Sequence, residues 1–123
     1  MLQKDVLEDL LSLIKKLSKD KVFVIVEGCK DRDSLVSLGF ARSRILTLGR
    51  KPLFAVVEQV AEKEKLVVLL TDLDREGKKL YSGLKKDLSE RGVFIDDALR
   101  NFLFKYTKLR QIEGLDKYIE RNR

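Results

Sequence analysis

Hydrophobic residues along the chain follow two alternating patterns. Four short, mainly apolar runs are typical of strands that are buried on both faces of a sheet, and the run 66–70 has no polar break. Between these runs, apolar residues recur every three or four positions, as on one face of an amphipathic helix. The predicted strands are 22–26, 45–48, 66–70 and 93–95, and the predicted helices are 5–17, 31–38, 52–64, 76–91, 97–105 and 115–121.

The regular alternation of strand and helix predicts a single α/β domain. Such units build a parallel sheet that is covered on both sides. We therefore expect a Rossmann-like, mainly parallel sheet of four strands flanked by helices on both faces. Its core spans about 21–95, with an N-terminal covering helix over 5–17 and a basic helical segment over 97–121. The helix after Pro52 is expected to bury Phe54, Val57, Val60 and Ala61.

Acidic residues stand where two of the predicted strands end. Glu27 follows the first strand, and Asp72 and Asp74 follow the third. Residues two apart in extended backbone point the same way, so Asp72 and Asp74 share a face. In a doubly wound order the first and third strands lie side by side, which brings Glu27 close to this pair. Carboxylates grouped in this way attract a hard cation such as Mg²⁺, which leaves positions open for phosphate oxygens.

Composition narrows the possible chemistry and the expected location. The chain has no histidine, so acid or base chemistry falls to carboxylates, lysine, tyrosine or bound water. The single Cys29 cannot form an internal disulfide, and no apolar run is long enough to span a membrane. We therefore expect a cytoplasmic protein with no membrane partner. The net charge of +6 favours an anionic partner, of which nucleic acid is the commonest.

Basic residues are concentrated around the second predicted strand, after the acidic stretch 72–77, and in the C-terminal segment. An acidic centre needs basic surroundings to attract a polyanion, so we expect at least one of these groups to contact nucleic acid. Phe102, Phe104 and Tyr106 lie among the C-terminal bases and could stack on unpaired bases, although helical spacing also favours packing between Phe102 and Tyr106. The candidate contacts are Lys30, Arg42, Arg44, Arg75, Lys78 and Lys79.

Taken together, the two acidic motifs resemble the Toprim family. The family pattern is a Glu-Gly pair with an Asp three residues after the Gly, then Asp-x-Asp with a Gly three residues further on. The resemblance covers about 21–95 and is greatest to small stand-alone archaeal Toprim proteins and to the Toprim nucleases of ribosomal RNA maturation. The matching residues are Glu27, Gly28, Asp31, Asp72, Asp74 and Gly77.

This resemblance implies Mg²⁺-dependent phosphodiester chemistry, with Mn²⁺ as a possible substitute. It implies Glu27, Asp72 and Asp74 as metal ligands and Glu27 and Asp31 as catalytic residues, with Glu27 acting as a ligand or a proton carrier. If Glu27 moves a proton, its acidic neighbours should raise its pKa. An endonuclease in RNA processing is the favoured function, with RNA favoured over DNA. The alternatives are a non-catalytic module that binds structured RNA or a ribonucleoprotein, and a primase-like nucleotidyl transferase.

Simpler structural roles remain open for several of these residues. Asp74 or Asp31 could cap the helix that follows it, because aspartate is common at helix N-termini. For an isolated Asp-x-Asp we would prefer capping, but the matching motif at Glu27 favours a site. Arg75 and Glu76 either reach that site or lie exposed in the first turn of their helix.

Overall fold

The computed structural model describes residues 2–123, which form four strands, six α-helices and two short 3₁₀ turns. Within this range, no helix is both long enough and apolar enough to cross a bilayer. The strands are β1 (Phe23–Val26), β2 (Ile45–Thr47), β3 (Leu66–Leu70) and β4 (Phe94–Asp96). The helices are α1 (Lys4–Lys19), α2 (Cys29–Ser37), α3 (Leu53–Lys63), α4 (Arg75–Glu90), α5 (Ala98–Tyr106) and α6 (Leu115–Asn122), and the 3₁₀ turns are Arg42–Arg44 and Ile112–Gly114.

The four strands form one sheet, in the order β2-β1-β3-β4, in which every neighbouring pair is parallel. The central pair is β1 and β3, with Phe23 opposite Val67 and Val26 opposite Leu70. The predicted α/β class and the predicted contact between the first and third strands are therefore confirmed. The fold is Rossmann-like, and its sheet is parallel throughout.

Helices cover both faces of this sheet. Side chains alternate along β1, so Val24 and Val26 pack with α1, α2, α5 and α6, whereas Ile25 packs with α3 and α4. The covering helix α1 buries Leu10 and Ile14 against the first of these layers. Because both faces are covered, the strands need apolar residues at successive positions, which is the pattern that the sequence displays.

The structure differs from the predicted packing at α3. Phe54 is 72% exposed, so its predicted burial is wrong, while Val56, Val57 and Val60 are buried. Successive helical residues turn by roughly 100°, which places these three valines on one stripe and Phe54 more than a quarter turn from the centre of that stripe. The nearby Pro52 precedes the helix as its N-terminal cap residue rather than lying in its first turn.

Candidate functional site

The acids that follow β1 and β3 meet at the carboxyl edge of the sheet. The backbone N–H of Asp72 donates to Oε2 of Glu27 at 2.7 Å, although the two residues are 45 positions apart in the chain. This contact follows from the pairing of the two strands, since the residues after paired strand ends adjoin each other. We call Glu27, Asp31, Asp72 and Asp74 the acidic edge.

Two of these acids also organise the helices that begin at the edge. Oδ1 of Asp74 accepts a hydrogen bond from the N–H of Gly77 at 2.8 Å, which caps α4. Oδ2 of Asp31 accepts one from the N–H of Gly28 at 2.9 Å, which satisfies the N-cap N–H at the start of α2. The helix-capping role left open by the sequence is therefore observed for Asp74. Asp31 lies inside the first turn of α2, which begins two residues earlier than predicted, with Gly28 as its N-cap residue.

Asp72 joins the end of β3 to the C-terminal part of the chain. Its Oδ1 accepts a hydrogen bond from the backbone N–H of Ile112 at 2.8 Å. Next to it, the N–H of Leu73 donates to the carbonyl oxygen of Arg110 at 2.7 Å. The sequence pattern predicted no clear element for the segment 109–112. In the structure, these two hydrogen bonds hold the segment against Asp72 and Leu73.

Three acids of the edge, Glu27, Asp31 and Asp72, have raised pKa values, which favours their protonated forms. Burial raises the pKa of Asp31 to about 6, and the carboxylates of Asp72 and Glu27 add to this effect while the Gly28 N–H opposes it. Burial is also the largest cause of the raised pKa values of Glu27 and Asp72, ahead of repulsion from neighbouring acids. The expected rise for Glu27 is therefore confirmed, with burial as its main cause. A bound cation would relieve this accumulation of negative charge.

A buried arginine binds the backbone of the turn after β3, which carries Asp72. Arg100, on α5, is 5% exposed, and its guanidinium donates to the carbonyl oxygens of Thr71 and, at 3.0 Å, of Asp72. Its charge also lies 4.4 Å from the centre of the Tyr81 ring. Burial lowers the pKa of this guanidinium, whereas Tyr81 and nearby acids raise it. Arg100 therefore holds the backbone of Asp72 in position, and with it the Asp72 side chain.

Sequence analysis did not single out Arg100 as a site residue, although the chain contains a signal for it. Leu99 and Leu103 are both fully buried on α5. Arg100 lies beside the first of these leucines and three positions before the second, so helical geometry places it on the apolar face. A charged residue on an apolar face needs a polar partner inside the fold, which here is the turn after β3.

Gly77 allows the turn after β3 to close tightly. A Cβ atom at this position would lie 1.9 Å from the carbonyl oxygen of Asp72, too close for any side chain. The hydroxyl of Thr71 donates to the Gly77 carbonyl oxygen at 2.7 Å from within the same turn. The glycine of the second acidic motif is therefore required by close backbone approach.

In residues 2–123, the acidic edge does not form a closed metal site of three protein ligands. Between residues 2 and 123, no three His, Cys, Asp or Glu side chains converge closely enough to hold one metal ion. Mg²⁺ commonly binds through one or two carboxylates and fills its other positions with water and phosphate oxygens. Glu27 and Asp72 each use only one carboxylate oxygen in a hydrogen bond, which leaves the other available as a hard oxygen ligand.

A basic groove adjoins the acidic edge. Its volume is about 670 Å³, and Asp74 lines it together with four cationic residues. Phe104 is 49% exposed, with the Lys78 ammonium 4.6 Å and the Arg110 guanidinium 5.4 Å from its ring centre. Cations, an aromatic ring and a carboxylate are thus brought together at one place. The basic groove is defined by Arg75, Lys78, Lys79 and Arg110.

Not all of the predicted cationic contacts lie near the acidic edge. Lys30 lies near it, because it is in the first turn of α2, and this helix begins two residues after Glu27. Its side chain is exposed. Arg42 and Arg44 precede β2 and so lie toward the opposite edge of the sheet. The Arg44 guanidinium binds the Glu64 carboxylate through two hydrogen bonds of 2.7 and 3.0 Å. Of the predicted contacts, the structure therefore assembles Arg75, Lys78 and Lys79 beside Asp74.

The fold and the site define the class to which this molecule belongs. It is a Rossmann-like α/β protein with carboxylates where its two central parallel strands end. A UPF0292 protein of Methanocaldococcus jannaschii is 32% identical over 119 residues, which cover 93% of this chain and 92% of that protein. A second UPF0292 protein, from Pyrococcus abyssi, is 38% identical over 105 residues, which cover 85% and 77%. The chain belongs to the UPF0292 family.

Similarity also extends to a solved structure. A protein from Aquifex aeolicus superposes with a TM-score of 0.74 and 30% sequence identity, covering 87% of this chain and 95% of that one. No family model matches the chain. The structural similarity supports the α/β fold described above.

Proposed function

We propose that this protein cleaves phosphodiester bonds in nucleic acid with the help of Mg²⁺, and that RNA is its favoured substrate. One observation carries the proposal: Asp74 belongs to the acidic edge and also lines the basic groove. A nucleic-acid strand held in the groove by its phosphates would pass next to the carboxylates. The resemblance of both acidic motifs to the Toprim family supports the same chemistry.

The proposed roles follow from the geometry of the individual residues. Glu27 and Asp72 would hold Mg²⁺ through their available oxygens, with Asp74 next to them. When bound, the ion would neutralise charge on the phosphate and activate a water molecule. Arg100 keeps the Asp72 backbone in position. Asp31 is the carboxyl group best suited to hold and release a proton near neutral pH, since its pKa is about 6.

The preference for RNA rests on the basic groove. The exposed ring of Phe104 lies beside two cations of the basic groove, Lys78 and Arg110. An aromatic ring in such surroundings can stack on an unpaired base while the cations contact the backbone. Sequence-specific RNA recognition commonly uses unpaired bases in loops and bulges. A structured RNA with such a loop is therefore the proposed substrate.

A non-catalytic binding module is the second candidate, and a separate observation favours it. All four acids of the edge hold a backbone N–H, so each has a structural role without any metal. No three of them converge around one point in residues 2–123. In that case the basic groove would bind structured RNA, and the acids would only shape the fold.

The decisive experiment measures RNA cleavage and RNA binding in parallel. Single-turnover cleavage and equilibrium binding are followed on structured RNA and on duplex DNA, each with Mg²⁺, Mn²⁺ or EDTA. For the cleavage function, Asp72→Asn should abolish cleavage while binding is retained. Lys78→Ala with Lys79→Ala should weaken binding and lower its dependence on salt by roughly one phosphate contact per lysine.

The matched control for the carboxylate variant is Asp87→Asn, which makes the same change at an exposed position of α4. This control should cleave and bind like the wild type. If the wild type binds RNA tightly but does not cleave it with either metal, the nuclease function is rejected in favour of the binding module. A wild type that neither binds nor cleaves RNA or DNA would eliminate both candidates.

A further inference from the structure

A second cavity lies along the free side of β2, the strand that pairs only with β1. This strand is outermost in the sheet, so it has a neighbour on only one side. The helix α2 lies over one face of the sheet and α3 over the other, and residues of both helices line the cavity together with β2. Its volume is about 480 Å³. We call it the edge pocket.

The edge pocket is strongly basic. Four cationic side chains line it and only one acid, Glu64, which is already bound to Arg44 through both carboxylate oxygens. The other three cations make no ion pair with any acid in residues 2–123. These three are Arg32, Lys51 and Lys63.

One of the three carries a hydrogen-bond donor that nothing in the described chain satisfies. The Nε atom of Arg32 is shielded from solvent and has no hydrogen-bond partner among residues 2–123. A buried donor without an acceptor is unfavourable, and native proteins contain few of them. After a small shift of the Arg32 side chain, an anion with several oxygens bound in the pocket would supply the missing acceptor, and it would balance the unpaired charge.

We infer that the edge pocket binds a phosphate group, carried either by a free nucleotide or by the backbone of nucleic acid. Ser43, Thr47 and Gln59 add neutral hydrogen-bonding groups to the lining. The ring of Phe23 forms part of the wall, with the Arg44 guanidinium 5.2 Å from its centre. The volume suits a ligand of mononucleotide size.

This site is separate from the acidic edge. None of Glu27, Asp31, Asp72 and Asp74 lines the edge pocket, and the pocket needs no metal to bind an anion. Addition of a strand to β2 is a weaker explanation of the open edge, because the strand has only three residues and short edge strands resist such pairing. The inference therefore stands whether or not the protein cleaves RNA.

The test is a titration of the whole protein in EDTA with three probes: inorganic phosphate, AMP and a short oligouridine. Binding is followed by calorimetry and by the backbone amide NMR signals of Arg32 and Thr47. The variant Lys51→Gln with Lys63→Gln removes two exposed cations from the lining. Its affinity should fall by about tenfold or more, since it loses charged hydrogen-bond donors.

The matched control is Lys86→Gln with Arg91→Gln, which removes the same charge from exposed positions outside the pocket. Its affinity should stay within about twofold of the wild type, because distant surface charges are screened by salt. Arg32→Gln tests the buried donor and should also weaken binding. Tighter binding of AMP than of phosphate identifies a free nucleotide as the source. Tighter binding of oligouridine identifies a nucleic-acid backbone if Lys51→Gln with Lys63→Gln weakens it, because oligouridine in the basic groove would not respond to that variant.

Two results would overturn the inference. One is the absence of saturable shifts of the Arg32 and Thr47 amide signals with all three probes, and the other is an equal loss of affinity in both double variants. Asp72→Asn should bind the probes in EDTA as the wild type does, because that residue is outside the pocket. A failure of the edge pocket thus leaves the proposed cleavage untouched, and a failure of cleavage leaves the edge pocket untouched.

Discussion

The backbone N–H of Asp72 donates to the side chain of Glu27, so one acid of the edge is an acceptor for the main chain of another. This bond spans the two central strands at their carboxyl ends. Glu27 therefore contributes to stability as well as to the proposed chemistry, and different substitutions should separate the two contributions.

The first prediction compares two substitutions of Glu27. Glu27→Ala leaves the Asp72 N–H without its acceptor and should lower the free energy of unfolding by about 1–2 kcal/mol. Glu27→Gln keeps an oxygen acceptor and should cost less than about 1 kcal/mol, yet both variants should lose Mg²⁺-dependent cleavage. Urea unfolding in EDTA measures the stabilities. Glu58→Ala, an exposed change on α3, should leave both properties unchanged; equal stabilities for the two Glu27 variants would contradict the prediction.

The second prediction concerns Arg100 as a positioning residue. Arg100→Met removes every hydrogen bond to the Thr71 and Asp72 carbonyl oxygens and should destabilise the fold by about 3 kcal/mol. Arg100→Lys should recover little of this, because an ammonium group lacks the planar fork that reaches both oxygens. The thermal stabilisation expected from the proposed binding of Mg²⁺ should be smaller in both variants than in the wild type. Arg91→Lys is the exposed control, and a fully stable Arg100→Lys protein would show that charge alone suffices.

The third prediction uses two glycines of the same helix, α4. Gly77→Ala would place a methyl group against the Asp72 carbonyl oxygen and should cost about 3 kcal/mol or more. Gly83→Ala meets no atom within 4 Å and should stabilise the helix by roughly 0.5–1 kcal/mol. Denaturant unfolding of both variants tests the contrast. Similar stabilities would mean that the turn after β3 adjusts to accept a side chain.

The fourth prediction is a dependence of stability on pH. The pKa of Asp31 is raised from its ordinary 3.8 to about 6, so the folded protein binds this proton more tightly than the unfolded chain. The free energy of unfolding should therefore fall as pH rises from about 4 to about 6 and level off above that range, by at most roughly 3 kcal/mol from this group. Unfolding measured in EDTA across this range provides the test.

A matched pair of variants assigns the pH effect to Asp31. Asp31→Asn can still accept the Gly28 N–H and should be more stable than the wild type at pH 7, with a flatter pH profile. Asp87→Asn, an exposed change, should keep the wild-type profile. A wild-type stability that rises between pH 4 and 6, with no change in Asp31→Asn, would contradict the assignment.

The sequence predicted the central part of the site because strand periodicity and chain order determine it. Parallel strands that pair side by side end at the same edge, so the contact between Glu27 and Asp72 follows from identifying the two strands. The roles of Arg100 and Ile112 could not be derived in this way. The apolar face of α5 indicates that Arg100 is buried, but its partner depends on how α5 packs over the edge. The short 3₁₀ turn Ile112–Gly114 has no periodicity from which the position of Ile112 could be predicted.

Because the C-terminal segment contacts Asp72, the acidic edge can be completed only after that segment has been synthesised. All four acids of the edge lie before residue 75, but Asp72 receives its amide donor from Ile112 and its backbone support from Arg100. A nascent chain that has emerged from the ribosome only as far as β4 contains the acids without either partner. The acidic edge therefore reaches its final geometry only when the last quarter of the chain has docked, so the earlier strands cannot present a finished site on their own.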